Sequence, residues 1–269
     1  MIITKKEFNY ILAHKKESDF ALRVDFGLRE IRVNVNNDEA FFENGCILSL
    51  KEKLRDNFCY FLDKEGLKPI AFFSENTNRF YKLTSTFDWP TISISSVPMH
   101  QLSSPCQDTQ NKIELLKPYG VVLDTCMGLG YTAILAAKTA NKVITFERDE
   151  NVSFLAKINP LSQGLFLAKT IEIRQVDVSL GIKQFKDAYF DCIIHDPPTF
   201  TLSPELYALS FYGELYRVLK ERGKLFHYTP LYKVSHGFDF PSKIKEKLQK
   251  TGFKVVSFSL KKGGVLCRK

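Results

Sequence analysis

Two regimes of hydrophobic patterning divide the chain. Up to about residue 95, apolar and polar residues tend to alternate. Ala21-Leu22-Arg23-Val24-Asp25-Phe26 and Arg29-Glu30-Ile31-Arg32-Val33-Asn34-Val35 predict half-buried strands, and Gly27 between them predicts a hairpin. Leu50, Leu54, Phe58 and Phe61 recur at helical spacing behind Ser49, which suits an N-cap, so a helix is expected over 49–63. Strand-like runs follow at 69–73 and 80–83. Residues 89–98 read as an extended segment leading to a connector around Ser103-Ser104-Pro105. From Val121 the pattern changes. Strands expected at 121–124, 142–147, 171–176, 190–195 and 224–229 are separated by helices at 131–139, 151–159 and 202–220, with another helix at 241–250. That alternation implies a parallel sheet. The last two strands, 254–260 and 264–267, are joined by the hairpin-sized Lys261-Lys262-Gly263 and should run antiparallel. A β-rich N-terminal domain over residues 1–98, suited to substrate recognition, and an α/β domain over 99–269 follow.

Composition narrows the class. At 44% hydrophobic residues the chain can bury a sizeable core, and Phe, with 23 copies against a single Trp, should dominate its aromatic packing. The start, Met1-Ile2-Ile3-Thr4-Lys5-Lys6, lacks the layout of a signal peptide, and the best apolar stretch, 121–138, is broken by Asp124, Gly128 and Gly130. A soluble cytoplasmic protein with no membrane partner is expected. Cys46, Cys59, Cys106, Cys126, Cys192 and Cys267 include no Cys-x-x-Cys pair, which argues for reduced, buried thiols and against a metal site. The formal charge of +8 is uneven. Residues 1–110 carry 14 Lys+Arg and 15 Asp+Glu, leaving 24 and 15 for residues 111–269. A basic field of this kind attracts polyanions, although solvated lysines also serve solubility alone.

Four motifs carry chemistry. In Val121-Val122-Leu123-Asp124-Thr125-Cys126-Met127-Gly128-Leu129-Gly130-Tyr131-Thr132-Ala133, a buried strand ends at an acid and a glycine-bearing turn opens a helix, letting a ligand approach the backbone. The turn alone also suits a dinucleotide. Glu147 ends the next strand, where a carboxylate can take both hydroxyls of a ribose. Asp177, ending a third, can accept from an adenine amino group, although an Asp there is commonly an N-cap. The fourth motif is Asp196-Pro197-Pro198 after the strand at 190–195. Proline stiffens the loop, and the Asp196 carboxylate with the Pro197 carbonyl can hold the hydrogens of a substrate amine. Hydride transfer has no use for that pair. His195 and His227, ending two strands, can assist proton removal or serve as hydrogen-bonded structural groups, the more ordinary role. Asn159-Pro160 is explained as a helix stop.

Together these motifs resemble class I S-adenosylmethionine-dependent methyltransferases over residues 111–269. The Asp-Pro-Pro element resembles the Asp/Asn-Pro-Pro-aromatic loop of enzymes that methylate base amino groups. More narrowly, the chain is similar to a predicted archaeal-type methyltransferase family through Met99-His100, Asp108-Thr109, the Asp124 turn, Asn159-Pro160, His195-Asp196-Pro197-Pro198, Glu205-Leu206-Tyr207, Phe211-Tyr212 and Phe226-His227-Tyr228. The likeness extends more weakly to Ser74-Glu75 and Tyr81-Lys82-Leu83. The resemblance implies a Rossmann-like, mostly parallel seven-stranded methyltransferase sheet beside a smaller β-rich domain. It implies S-adenosyl-L-methionine held by His100, Thr109, Asp124, Cys126, Gly128, Gly130, Tyr131, Thr132, Glu147, Arg148, Asp177, Val178 and Asp196, with Asp196, Pro197 and Pro198 as catalytic residues. Cys126 stands where the common turn has its first glycine. Thr199 stands where base methylators carry an aromatic ring, a place that Phe200, Tyr207, Tyr212 or Tyr228 would have to fill. The expected reaction is N-methylation of an RNA base, with tRNA favoured. Transfer of a methyl or aminopropyl group to a small amine or polyamine, and a non-catalytic RNA-binding module, are the alternatives.

Overall fold

The computed structural model describes residues 1–17, 19–100, 104–229, 239–259 and 263–269. The expected connector at Ser103 and the link Lys261-Lys262 lie outside the described residues. Two compact units divide the chain: Met1–Pro105 with Lys157–Leu161, and Cys106–Ala156 with Ser162–Lys269.

The second unit is built on seven strands: β1 (Val121–Asp124), β2 (Lys142–Phe146), β3 (Ile171–Arg174), β4 (Phe190–His195), β5 (Leu219–Tyr228), β6 (Lys254–Ser259) and β7 (Gly264–Arg268). Their order across the sheet is β3-β2-β1-β4-β5-β7-β6. Every neighbouring pair from β3 to β5 is parallel, and β7 alone runs against both of its neighbours, as the terminal hairpin predicts. Because β1 pairs with β2 on one side and β4 on the other, the strand order reverses direction at β1, which is where open α/β sheets bind ligands.

Helices α1 (Pro105–Leu116), α2 (Tyr131–Ala136), α3 (Glu150–Ile158), α4 (Gln163–Leu167), α5 (Val178–Gly181), α6 (Leu209–Val218) and α7 (Phe240–Thr251) complete the second half of the chain. The core joins Leu123, Ile144, Ile193 and Leu225 of the strands to Phe211, Leu215 and Val218 of α6 and Ile244 and Leu248 of α7. One expected helix is corrected here. Residues 202–220 form a 3-10 turn at Pro204–Tyr207, then α6, and β5 has already begun at Leu219. Pro204 has no N–H to continue a ladder, and Leu219 leaves α6 with extended φ/ψ to pair with Phe190.

The first unit holds three antiparallel sheets: Ile2–Thr4 with Cys59–Asp63 and Gly66–Pro69; Phe20–Val24, Arg29–Asn36, Glu39–Phe42 and Ile47–Ser49; and Ala71–Ser74, Arg79–Thr84, Thr91–Ile94 and Val97–Pro98. The hairpin about Gly27 is present. The helix expected over 49–63 is absent: its C-terminal part is a strand pairing with residues 2–4 and 66–69. Leu54 is buried and Leu50 and Phe58 pack on the same core, so these positions reach one core from a strand end and a turn rather than from one helix face. The helix that does form, Lys5–His14, is opened by a capping box in which Glu7 reaches back to the Thr4 N–H while Thr4 accepts from the chain ahead.

Candidate functional site

The carboxyl ends of β1, β2 and β4 are stitched together by backbone bonds. Thr125 N–H donates to Ile194 O at 3.0 Å, and Met127 N–H donates to Phe146 O at 2.7 Å. The turn after β1 therefore folds over the ends of both neighbouring strands. Gly128 (φ +54) and Gly130 (φ +78) take left-handed backbone, which only glycine adopts freely. A Cβ at Gly130 would lie 2.6 Å from Leu165, so that glycine serves packing. At Gly128 a Cβ would meet no atom within 4 Å, so that position borders open space.

Asp124, at the end of β1, is completely buried. Its carboxylate accepts from Thr145 at 2.7 Å and, more weakly, from Thr132 at 3.4 Å. Burial raises its pKa from 3.8 to about 7, against the pull of the Thr145 hydroxyl. Glu147, half-buried just past β2, accepts from Gly128 N–H at 3.1 Å and Asp149 N–H at 2.9 Å, and burial lifts it to about 7 as well. Asp177 follows β3. It caps α5 through Ser179 N–H at 2.8 Å and pairs with Arg148 at 3.0 Å. Burial alone would raise this carboxyl, but the Ser179 and Arg148 donors hold it below the usual range.

The Asp196-Pro197-Pro198 loop leaves β4 beside this rim, and several elements hold it. Lys112 of α1, with a side chain only 3% exposed, lies 2.5 Å from Asp196 and 2.5 Å from Asp108. The Tyr207 hydroxyl donates to Pro198 O at 2.8 Å and lies 3.5 Å from Pro197 O; with one proton to give, it leaves the Pro197 carbonyl the weaker partner. Arg148 reaches Glu205 at 2.7 Å, Leu202 O at 2.8 Å and Ser203 at 2.9 Å, tying the loop to the end of β2.

Both candidate histidines are structural. His195 Nε2 faces Leu206 O at 3.0 Å and so carries its proton, while Nδ1 accepts from Thr125 at 2.8 Å. His227 donates from Nδ1 to Tyr228 O at 2.6 Å and accepts from Tyr212 at 2.7 Å. Burial holds His195 well below its ordinary range and lowers His227 to about 4, so both are neutral at pH 7. Tyr212, fully buried against His227, is not a stacking surface; Phe200, 40% exposed and packed against Tyr207 and Phe240, is the more accessible ring after the loop.

The remaining expected residues fall as follows. Cys126, Tyr131, Thr132 and Val178 line the turn and the start of α5, and burial raises the Cys126 thiol so that it packs rather than reacts. Thr109 is buried in α1. His100 lies in the first unit, where its Nδ1 sits 2.9 Å from Thr91. Lys112 was not among the expected residues, although its i,i+4 spacing from Asp108 is visible in the sequence.

No family model matches the chain. Over 262 residues it is 41% identical to the uncharacterized protein MJ1233 of Methanocaldococcus jannaschii, a match covering 93% of this chain and 89% of the relative. The chain belongs to the MJ1233 family. Among solved structures, this MJ1233-family fold is similar to a spermidine synthase in complex with the transition-state analogue AdoDATO (18% identity, TM-score 0.57, 73% of this chain and 71% of that one). It is also similar to the spermidine synthase of Thermotoga maritima (18%, TM-score 0.54, 73% and 70%) and to MnmC2 of Aquifex aeolicus (19%, TM-score 0.52, 70% and 70%). These likenesses concern the fold alone: an α/β unit with a mostly parallel seven-stranded sheet. Among the described residues, no helix is long and apolar enough to cross a membrane.

Proposed function

We propose that this MJ1233-family protein is an S-adenosylmethionine-dependent methyltransferase acting on an amino nitrogen, with an RNA base, in tRNA foremost, as its substrate. The observation that carries the reading is the placement of Asp124, Glu147 and the Asp196-Pro197-Pro198 loop at adjoining strand ends around the open Gly128 turn. The donor groups of the cofactor match these acceptors: an ammonium for Asp124, a ribose diol for Glu147 and an adenine amino group for Asp177. The open space at Gly128 suits a ligand lying against the backbone. When bound, the sulfonium supplies an electrophilic methyl group. The protein's part is orientation. Asp196 and the Pro197 carbonyl accept the two N–H bonds of the substrate amine and aim its lone pair, and fixing that approach supplies most of the acceleration. RNA is favoured by the Asp-Pro-Pro loop and by the basic excess of residues 111–269. Part of that excess has local partners, since Lys247 donates to Tyr207 O, Lys269 to Tyr216 O and Lys224 to Leu116 O.

Transfer of a methyl or aminopropyl group to a polyamine is the second reading, favoured by the spermidine synthase likeness and opposed by a basic surface that repels polyamines. Incubation with methyl-labelled S-adenosylmethionine and, in parallel, with decarboxylated S-adenosylmethionine labelled in its aminopropyl group, each against separate RNA, protein and polyamine pools, decides between them. Label in RNA alone supports the proposal; label in polyamine alone, or no calorimetric binding of S-adenosylmethionine, overturns it. Asp196→Ala should abolish turnover with cofactor affinity little changed.

A further inference from the structure

We propose that Lys112 is a positioning residue for the transfer reaction, acting through Asp196; the inference rests on the methyltransferase reading above. A buried lysine is rare unless paired, and Lys112 is paired twice, at 2.5 Å to Asp196 and 2.5 Å to Asp108, with its ammonium 4.9 Å from the centre of the Tyr228 ring. The three groups come from separate parts of the second unit: helix α1, the end of β4 and the end of β5. Burial works against the charge on Lys112, and the two aspartates outweigh it, so the cation is retained. One oxygen of Asp196 is thereby anchored, which restricts rotation of the carboxylate. Asp108 is the second carboxylate on the same ammonium, so two partners hold the lysine. Without that anchor the carboxylate is free to rotate, and a misplacement of about 1 Å costs on the order of 10²-fold in rate.

The test compares wild type with Lys112→Met and Lys112→Arg in the full chain. It measures kcat and KM with the accepted methyl acceptor, S-adenosylhomocysteine affinity by calorimetry, and hydrogen exchange of amides 199–203 without any ligand. The expected result is a kcat about 10²-fold lower for Lys112→Met, S-adenosylhomocysteine affinity within about threefold of wild type, at least tenfold recovery in Lys112→Arg, and faster exchange confined to 199–203. Unchanged kcat in a folded Lys112→Met protein overturns the inference, and so does an equal loss of kcat and cofactor affinity. If wild type transfers no methyl group, the functional reading fails instead, and the exchange measurement alone judges the anchor: unaltered exchange in Lys112→Met overturns it.

Discussion

Asp124→Asn is the perturbation whose outcome the structure fixes most closely. Asp124 is completely buried and its hydrogen bonds from Thr145 and Thr132 are neutral, so ionisation is opposed and its pKa rises from 3.8 to about 7. Below about pH 3, folded and unfolded chains both hold the proton and the residue costs nothing. As pH climbs toward 7 the unfolded chain releases the proton while the folded chain keeps it, so the fold loses stability. The loss runs at about 1.4 kcal/mol per pH unit and reaches about 4 kcal/mol by pH 7, beyond which it is flat. Asparagine removes the titration, and the Thr145 hydroxyl can turn to accept from its amide. Wild type and Asp124→Asn should therefore be similar near pH 4 and diverge with rising pH, the variant becoming the more stable by up to about 4 kcal/mol at pH 8. Hydrogen exchange of amides in β1 and β4, corrected for intrinsic rates, reads this locally, because the sole tryptophan, Trp89, lies in the other unit. The same residue should govern binding. An ammonium ligand selects the ionised carboxylate, so S-adenosylhomocysteine binding at pH 6 should release a proton and weaken about tenfold per unit below pH 7, and the variant should bind poorly. Parallel stability curves from pH 4 to 8 would refute the burial argument. Retained affinity in the variant, with no proton release at pH 6, would refute the placement of the cofactor.

Further outcomes follow from other contacts. Gly130→Ala places a Cβ 2.6 Å from Leu165 in left-handed backbone and should cost about 2–4 kcal/mol in urea unfolding, partly restored by Leu165→Ala. Tyr212→Phe strips the donor from buried His227 Nε2 and should cost about 1–3 kcal/mol by the same measurement, with cofactor affinity unmoved. Arg148→Ala should speed exchange at 199–205 and weaken S-adenosylhomocysteine binding only severalfold, since its bonds go to Asp177, Glu205, Leu202 and Ser203; a complete loss of binding would assign it to the cofactor directly.

The second half of the chain was legible because each strand is bounded by local chemistry. The strands expected at 121–124 and 190–195 match β1 and β4, whose ends are marked by an acid or by Asp-Pro-Pro. The N-terminal half lacks such marks. There Leu50, Leu54 and Phe58 mimic a helix face, while Phe61, expected on the same face, is 40% exposed on a strand. The Thr4-x-x-Glu7 box that opens the first helix stands in the sequence, but the alternating pattern read over residues 1–95 places no helix there. β5 begins five residues before the expected 224, because Lys220-Glu221-Arg222-Gly223 has the composition of a loop, yet Lys220 reaches back to pair with Asp191 at 2.8 Å. Lys112 and Arg148 drew their meaning from partners 84 and 29 to 57 residues away, and no local pattern records such distances.

Those long-range contacts bear on why the site is built as it is. A chain selected for stability alone gains nothing by sealing Asp124 among hydroxyls, since a buried carboxylate with neutral hydrogen-bond donors and, among the described residues, no ion pair of its own is costly. The same rim shows the opposite choice at Asp196, where the protein supplies its own cation in Lys112. The contrast separates two tasks. On the proposed function, Asp196 must keep one orientation and is anchored from within, while Asp124 would have its counter-charge delivered by a cationic ligand. On this reasoning the strain at Asp124 is relieved when ligand binds, and ligand stabilises the folded unit by more at pH 8 than at pH 6.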